Sequence, residues 1–276
     1  MSIRIFEIAC VVLVAVTLAA MAKGRDARSL LGDYVLLALA GWIGEESAIT
    51  AYRYYSYASA WDARVVDVPI LVPAIWPLVI LSARDVATGL FPSARGVRHA
   101  AIVGAVVVVD ASLVEVLAVR AGLWSWAEGG HLGVPVLGIL GWGFFAFGAD
   151  LWLGRDPKGL ARAAVIAVAP LVAHGLIVVS WWALLKWALR GALGDASMVA
   201  LVALGVGLAL VVVRTRRAGG AIPFAVAWPR IFAALLFFAL LLTTAPSDVR
   251  LWIHVACVAI PYVLATRLPT APQPTR

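Results

Sequence analysis

The residues of this sequence best suited to chemistry are four carboxylates set among apolar residues. Glu45 and Glu46 follow Ala-Gly-Trp-Ile-Gly, Asp110 follows four valines, and Glu115 lies five positions further on. A carboxylate at membrane depth is costly and is by default a functional hypothesis. Apolar surroundings or a neighbouring carboxylate raise its pKa, so it stays protonated near neutral pH and can deliver a proton without a metal. Helix geometry limits how the four cooperate. Asp110 and Glu115 are about 140° apart around a helix and about 7.5 Å along it, so one lines a cavity while the other pairs elsewhere, and Glu45 and Glu46 are about 100° apart, so one of them faces inward. Glu7, close to the chain start, reads as solvated. The structural alternative is ion pairing of these acids with Arg53, Arg120 or Lys186.

Aromatic residues gather near the same acids. Of the twelve tryptophans, Trp61, Trp124, Trp126, Trp181, Trp182, Trp187 and Trp252 fall near one set of span ends, and the loop after Glu46 contains Tyr52, Tyr54, Tyr55 and Tyr57. An aromatic collar beside buried acids suits an apolar substrate that reacts through a carbocation, which ring faces stabilise. An interfacial belt is the competing reading. His174 and His254 read as packing or hydrogen-bonding groups at membrane depth. The four histidines lack the spacing of a di-iron site, and Lys23, Lys158 and Lys186 lie near span ends, away from where a retinal Schiff base forms. Phosphate loops, dinucleotide fingerprints and paired Asp-x-x-x-Asp clusters are absent. The chemistry left is that of carboxylates, aromatics and histidine, with no metal and no cofactor.

The elements that position these groups are membrane helices. Of 276 residues, 63% are hydrophobic and 13% charged, against about 45–50% and about 25% in soluble domains. Nine apolar runs approach the roughly 20 residues needed to cross a bilayer: 5–22, 30–51, 65–82, 98–119, 133–153, 162–186, 196–213, 229–244 and 250–266. The last two are short, which leaves eight crossings plus a re-entrant segment as the alternative. The expected fold is an all-α, polytopic transmembrane bundle of eight or nine spans, forming one domain over 1–268 with a disordered tail at 269–276. Pro69, Pro73 and Pro77 are expected to kink the third span, and Pro170 the sixth. Cys10 and Cys257 lie inside spans and read as small hydrophobes.

Fifteen of the 22 Lys and Arg fall on one side of this arrangement, among them Arg84, Arg230 and Arg276, and seven on the other, Arg190 included. That bias predicts a bacterial inner-membrane protein with its N-terminus outside and its C-terminus cytoplasmic. The first span is read as uncleaved, because Lys23, Arg25 and Arg28 follow its apolar run where a signal peptide has its positive charge in front. The net charge of +7 reflects topology and attraction to anionic lipid, not nucleic-acid binding.

The stretch from Asp110 continues through Gly122-Leu-Trp124-Ser-Trp126, Gly133-Val-Pro135 and Gly141-Trp142. With Val68-Pro69, Pro73, Trp76 and Glu46 ahead of the tyrosines, it resembles a carotenoid-biosynthesis membrane family that includes bisanhydrobacterioruberin hydratase and the bacterial carotenoid 1,2-hydratase. Ala111 and Gly138 stand where that family commonly has Pro and Asn. The resemblance implies cofactor-independent addition of water to the terminal 1,2 double bond of an acyclic carotenoid or other polyisoprenoid, in the company of membrane lipid and other enzymes of that pathway. It implies Asp110 and Glu46 as the acid/base pair, with Glu115 and Glu45 in support. Trp124, Trp126, Tyr55, Tyr57, Trp76, Trp142 and His174 would bind the substrate end. A lycopene-cyclase-like enzyme, or a non-catalytic transporter or subunit, are the alternatives.

Overall fold

The computed structural model describes residues 2–23, 25–186 and 194–267. Among the described residues the apolar runs form nine helices: α1 (Ile3–Ala22), α2 (Ala27–Tyr52), α3 (Leu71–Leu90), α4 (Gly96–Arg120), α5 (Val136–Leu153), α6 (Leu160–Leu185), α7 (Gly194–Arg217), α8 (Phe224–Thr244) and α9 (Val249–Ala265). Helix α6 pauses for a turn at Ala164 and ends in a π-helical turn, Trp181–Leu185. Trp187, Arg190 and the tail 269–276, all read above from the sequence, lie outside the described residues.

Local signals set several boundaries. Asp26 caps α2 by accepting from the Ser29 N–H at 2.7 Å, and Asp248 caps α9 by accepting from Arg250 and Leu251, satisfying first-turn donors that have no helical partner. Helix α2 stops at Arg53, whose φ of 53° is left-handed and turns the chain away.

Three short ribbons join the helices: β1 (Tyr55–Tyr57) with β4 (Trp124–Trp126), β2 (Arg64–Val65) with β3 (Val68–Pro69), and β5 (Ile222–Pro223) with β6 (Thr266–Arg267). The β1–β4 pair is antiparallel, with Tyr55 opposite Trp126 and Tyr57 opposite Trp124.

Helices α2 to α6 pack around one apolar core that includes Leu37, Ala40, Trp76, Ile80, Val103, Val107, Phe145, Ala149 and Ala169. At its centre α4 and α5 meet backbone to backbone. A Cβ on Gly104 would lie 2.8 Å from the Gly143 carbonyl oxygen, and one on Gly143 would lie 2.9 Å from that of Gly104. Small residues at such crossings let membrane helices approach closely. Helices α1 and α8 flank α3, and α7 and α9 pair beside α4.

Seven of the helices are long and apolar enough to cross a membrane. Helix α2 has 26 residues but carries Asp33, Glu45 and Glu46, and α9 has 17 residues. The chain is a multi-pass membrane protein with an all-α bundle fold.

The third span departs from the sequence reading. Residues 64–69 form the β2–β3 ribbon, turning at Val66 with a φ of 59°, and the helix runs from Leu71 to Leu90. Pro69 therefore precedes it, Pro73 sits in its first turn where a missing N–H is harmless, and only Pro77 interrupts its interior.

Helix α3 thus contains Arg84 and Asp85, and Arg230 lies within α8. Arg84 and Arg230, read from the charge bias as loop or loop-edge residues, are helical, and partners neutralise the charges within the helices: Arg84 with Asp150 at 2.6 Å, Arg25 with Asp85, and Arg230 with Asp110. At the same end Arg162 binds Asp33 through two bonds of 2.7 Å.

Candidate active site

At the opposite end of the bundle two buried carboxylates, Glu45 of α2 and Glu115 of α4, line one cavity. Each accepts three hydrogen bonds from uncharged donors. Tyr55 and Tyr57 donate to Glu45 Oε2, the latter at 2.9 Å, and Trp76 Nε1 donates to Oε1 at 2.9 Å. Glu115 is held by indoles alone: Trp124 and Trp126 donate to Oε2 at 2.8 and 3.0 Å, and Trp142 to Oε1 at 2.7 Å. Bonds to an ionised acceptor are short and roughly twice as strong as neutral ones, so these cages satisfy buried carboxylates without a cation.

The cages interlock. Every donor to Glu45 packs on a donor to Glu115: Trp76 on Trp142 with ring centres 4.6 Å apart, Tyr55 on Trp126 at 4.8 Å, and Tyr57 on Trp124 at 5.8 Å. The last two contacts follow from the β1–β4 register, because alternate residues of a strand share a face. Tyr55, Tyr57, Trp124 and Trp126 therefore turn one way, and Ser56 and Ser125 the other. Burial pushes the Tyr55 and Tyr57 phenols well above their ordinary pKa, and the Glu45 charge adds to it. Both remain hydroxyl donors at physiological pH.

The cavity holds about 120 Å³ and is lined by Gly41, Tyr52, Phe145, His174 and Trp181 besides the carboxylates and their donors. His174 Nε2 is 2.8 Å from Ser47 Oγ, and its Nδ1 is 2.8 Å from the Tyr52 hydroxyl. Ser47 spends its own proton on the Ile43 carbonyl. The network therefore assigns the neutral imidazole an Nε2–H that donates to Ser47 and an Nδ1 that accepts from Tyr52. Gly138 makes room for this site, since a Cβ there would lie 2.5 Å from the Trp126 ring. Gly138→Val is expected to push Trp126 off Glu115, seen as a shifted tryptophan emission with unchanged far-ultraviolet circular dichroism.

The structure thus brings together Glu45, Glu115, Tyr55, Tyr57, Trp76, Trp124, Trp126, Trp142 and His174. Asp110 and Glu46, the pair expected from the sequence, are not joined to each other or to this cavity. Asp110 binds Arg230 and accepts from the Tyr262 hydroxyl at 2.6 Å, while Arg230 Nη1 donates to Ser82 at 2.5 Å. Glu46, rotated by one residue from Glu45, accepts from the Asp67 N–H of the β2–β3 turn at 3.1 Å.

The expected structural pairings also differ. Arg120 meets Asp248 at 3.3 Å, and the ion pairs among the described residues involve neither Glu45 nor Glu115. Glu7 is buried and accepts from the Asp62 N–H. Ser47 and Phe145 had no role in the sequence reading, and Tyr52, placed there in the aromatic collar, is instead a partner of His174. A period-two signal for the ribbon was present, since Tyr-Ser-Tyr and Trp-Ser-Trp each alternate aromatic and small residues.

No curated protein sequence and no solved structure matches the chain. Residues 3–212, which contain both carboxylate cages, match the family described as carotenoid biosynthesis protein. Arg230 and Tyr262, which hold Asp110, come from α8 and α9 beyond that stretch. With three quarters of its length matched, this chain belongs to the carotenoid biosynthesis protein family.

Proposed function

We propose that this protein hydrates the terminal 1,2 double bond of an acyclic carotenoid without a cofactor, using Glu45 and Glu115 as the acid/base pair. The observation that carries this reading is the pair of caged carboxylates in one aromatic cavity. A carboxyl group has about four acceptor positions, and three are taken in each cage. Indole nitrogens donate only, so the proton of an uncharged Glu115 occupies the position left open on Oε1.

Transfer of a proton from one carboxyl group to C2 of the substrate leaves a tertiary cation at C1. The surrounding ring faces stabilise that charge. A water molecule bonds to C1 and loses a proton to the second carboxylate. Atoms balance as one water added, and a proton returning between the two acids resets the site.

Cavity size supports recognition of an end group. An apolar cavity of about 150 Å³ holds benzene, so about 120 Å³ suits a five-carbon terminus with the polyene extending outside. The Lys and Arg bias supports a bacterial inner-membrane location with the N-terminus outside and the C-terminus cytoplasmic. Membrane lipid and other carotenoid-pathway enzymes are the partners that fit, and residues 1–268 act as one domain.

Expression in a lycopene-making host, followed by pigment mass analysis, tests the reading. One added water per end group is expected. Unchanged mass with an altered absorption spectrum means cyclisation, and unchanged pigment overturns the assignment. A long-chain dimethylalkylamine, cationic at neutral pH, is expected to inhibit as a mimic of the intermediate, whereas the matching hydrocarbon is not.

A further inference from the structure

Behind the β1–β4 ribbon lies a second cavity, of about 460 Å³, lined by Arg53, Ser56, Arg64, Asp67, Ser125 and Ala127. Tyr55, Tyr57 and Trp126 line both this cavity and the aromatic one. The ribbon is therefore a wall one residue thick. Its aromatic face meets the carboxylates, and its Ser56–Ser125 face, with the two hydroxyls 3.5 Å apart, meets the polar space.

The chemistry of the two linings differs. The first cavity sets Glu45, Glu115 and Glu128 among aromatic rings, whereas Arg53, Arg64, Asp67 and two serines surround the second, and such groups retain water. Arg64 donates to the Tyr57 and Ala58 carbonyls, pinning one end of the ribbon. Backbone bonds from Ala127 to Tyr54, at 2.6 Å, and from Ala58 to Leu123, at 3.0 Å, extend the ladder beyond the paired residues.

The geometry points to the second cavity as an aqueous vestibule that supplies water to the carboxylate cavity across the Tyr55–Tyr57–Trp126 wall. This inference rests on the hydration reading above. Tyr55 and Tyr57 line both cavities and end their hydroxyls on Glu45. A hydroxyl both donates and accepts, so a water that has crossed the wall can donate to either phenol beside Glu45, whereas the indoles around Glu115 cannot accept. In each turnover one water enters from the vestibule, its oxygen bonds to C1, one of its protons goes to a carboxylate, and the other stays on the product hydroxyl.

The test has two arms. In a background with Cys10 and Cys257 replaced by alanine, Ser56→Cys and Ser125→Cys are exposed to a membrane-impermeant cationic methanethiosulfonate in opened membranes. Ile177→Cys, from the aromatic cavity lining, is the comparison. Rapid modification of the two serine positions, with Ile177→Cys reacting only with an apolar maleimide, is expected. Ser56→Cys and Ser125→Cys reacting with the apolar reagent alone would overturn the vestibule.

In the second arm, Ser56→Leu/Ser125→Leu fills the polar space. Loss of hydrated product with carotenoid still co-purifying is expected, and hydration at the unmodified rate would overturn the water route. Should the wild type form no hydrated product, the reaction assignment fails while thiol labelling still decides the vestibule.

Discussion

Glu115→Gln is expected to reduce hydrated product by about 10²–10⁴-fold, the range that a positioned acid or base contributes. The amide keeps the shape of the carboxyl group but cannot carry the transferable proton. Its NH₂ also faces indole N–H groups that have no acceptor of their own, and each buried donor left unpaired costs about 1–3 kcal/mol. Glu45→Gln is expected to lose product to a similar degree, with a smaller structural penalty because Tyr55 and Tyr57 can turn their hydroxyl protons elsewhere. Pigment analysis of membranes, with retained carotenoid as the check on folding, reads both. Wild-type product from either variant would end the role proposed for that acid. Glu46→Gln, one residue away but directed at the β2–β3 turn, is the contrasting variant and is expected to keep most of the product.

Arg230→Met is expected to have the largest effect on stability. It strands Asp110 beside the Tyr262 hydroxyl with no cation, and removing one partner of a buried ion pair costs about 3–5 kcal/mol. Asp110→Asn combined with Arg230→Met removes both charges and is expected to restore most of that loss, because the penalty belongs to the uncompensated charge and not to the absent bond. Equilibrium unfolding of the single and double variants in one detergent gives the coupling directly. Additive losses would show that the two residues do not form a unit, and loss of hydrated product by Asp110→Asn at full stability would return Asp110 to the chemistry.

These two results separate what was legible in the sequence from what was not. Hydropathy located the nine helices because each apolar run is long compared with its interruptions. It misplaced the start of α3, because Val65-Val-Asp-Val-Pro69 continues the apolar run while a left-handed Val66 and the following proline fold it into a ribbon.

The four acids stood out by type and setting, and one member of each pair, Glu45 and Glu115, lines the cavity, while Glu46 meets the β2–β3 turn and Asp110 pairs inside the bundle with Arg230. Choosing that member required partners distant in sequence. Arg230 lies 120 positions after Asp110, and local pattern carries no sign of it. The donors to Glu115 were closer to hand: Trp124 and Trp126 share a strand face, and a buried indole N–H requires an acceptor.

The three indoles around Glu115 also give the protein a built-in optical probe. Their N–H groups end on one carboxyl group, so ionisation of Glu115 changes the field at three of the twelve chromophores. Near-ultraviolet difference spectra recorded against pH report that ionisation without any label, and their absence in Glu115→Gln assigns the signal. The arrangement that stabilises the acid makes its protonation state visible.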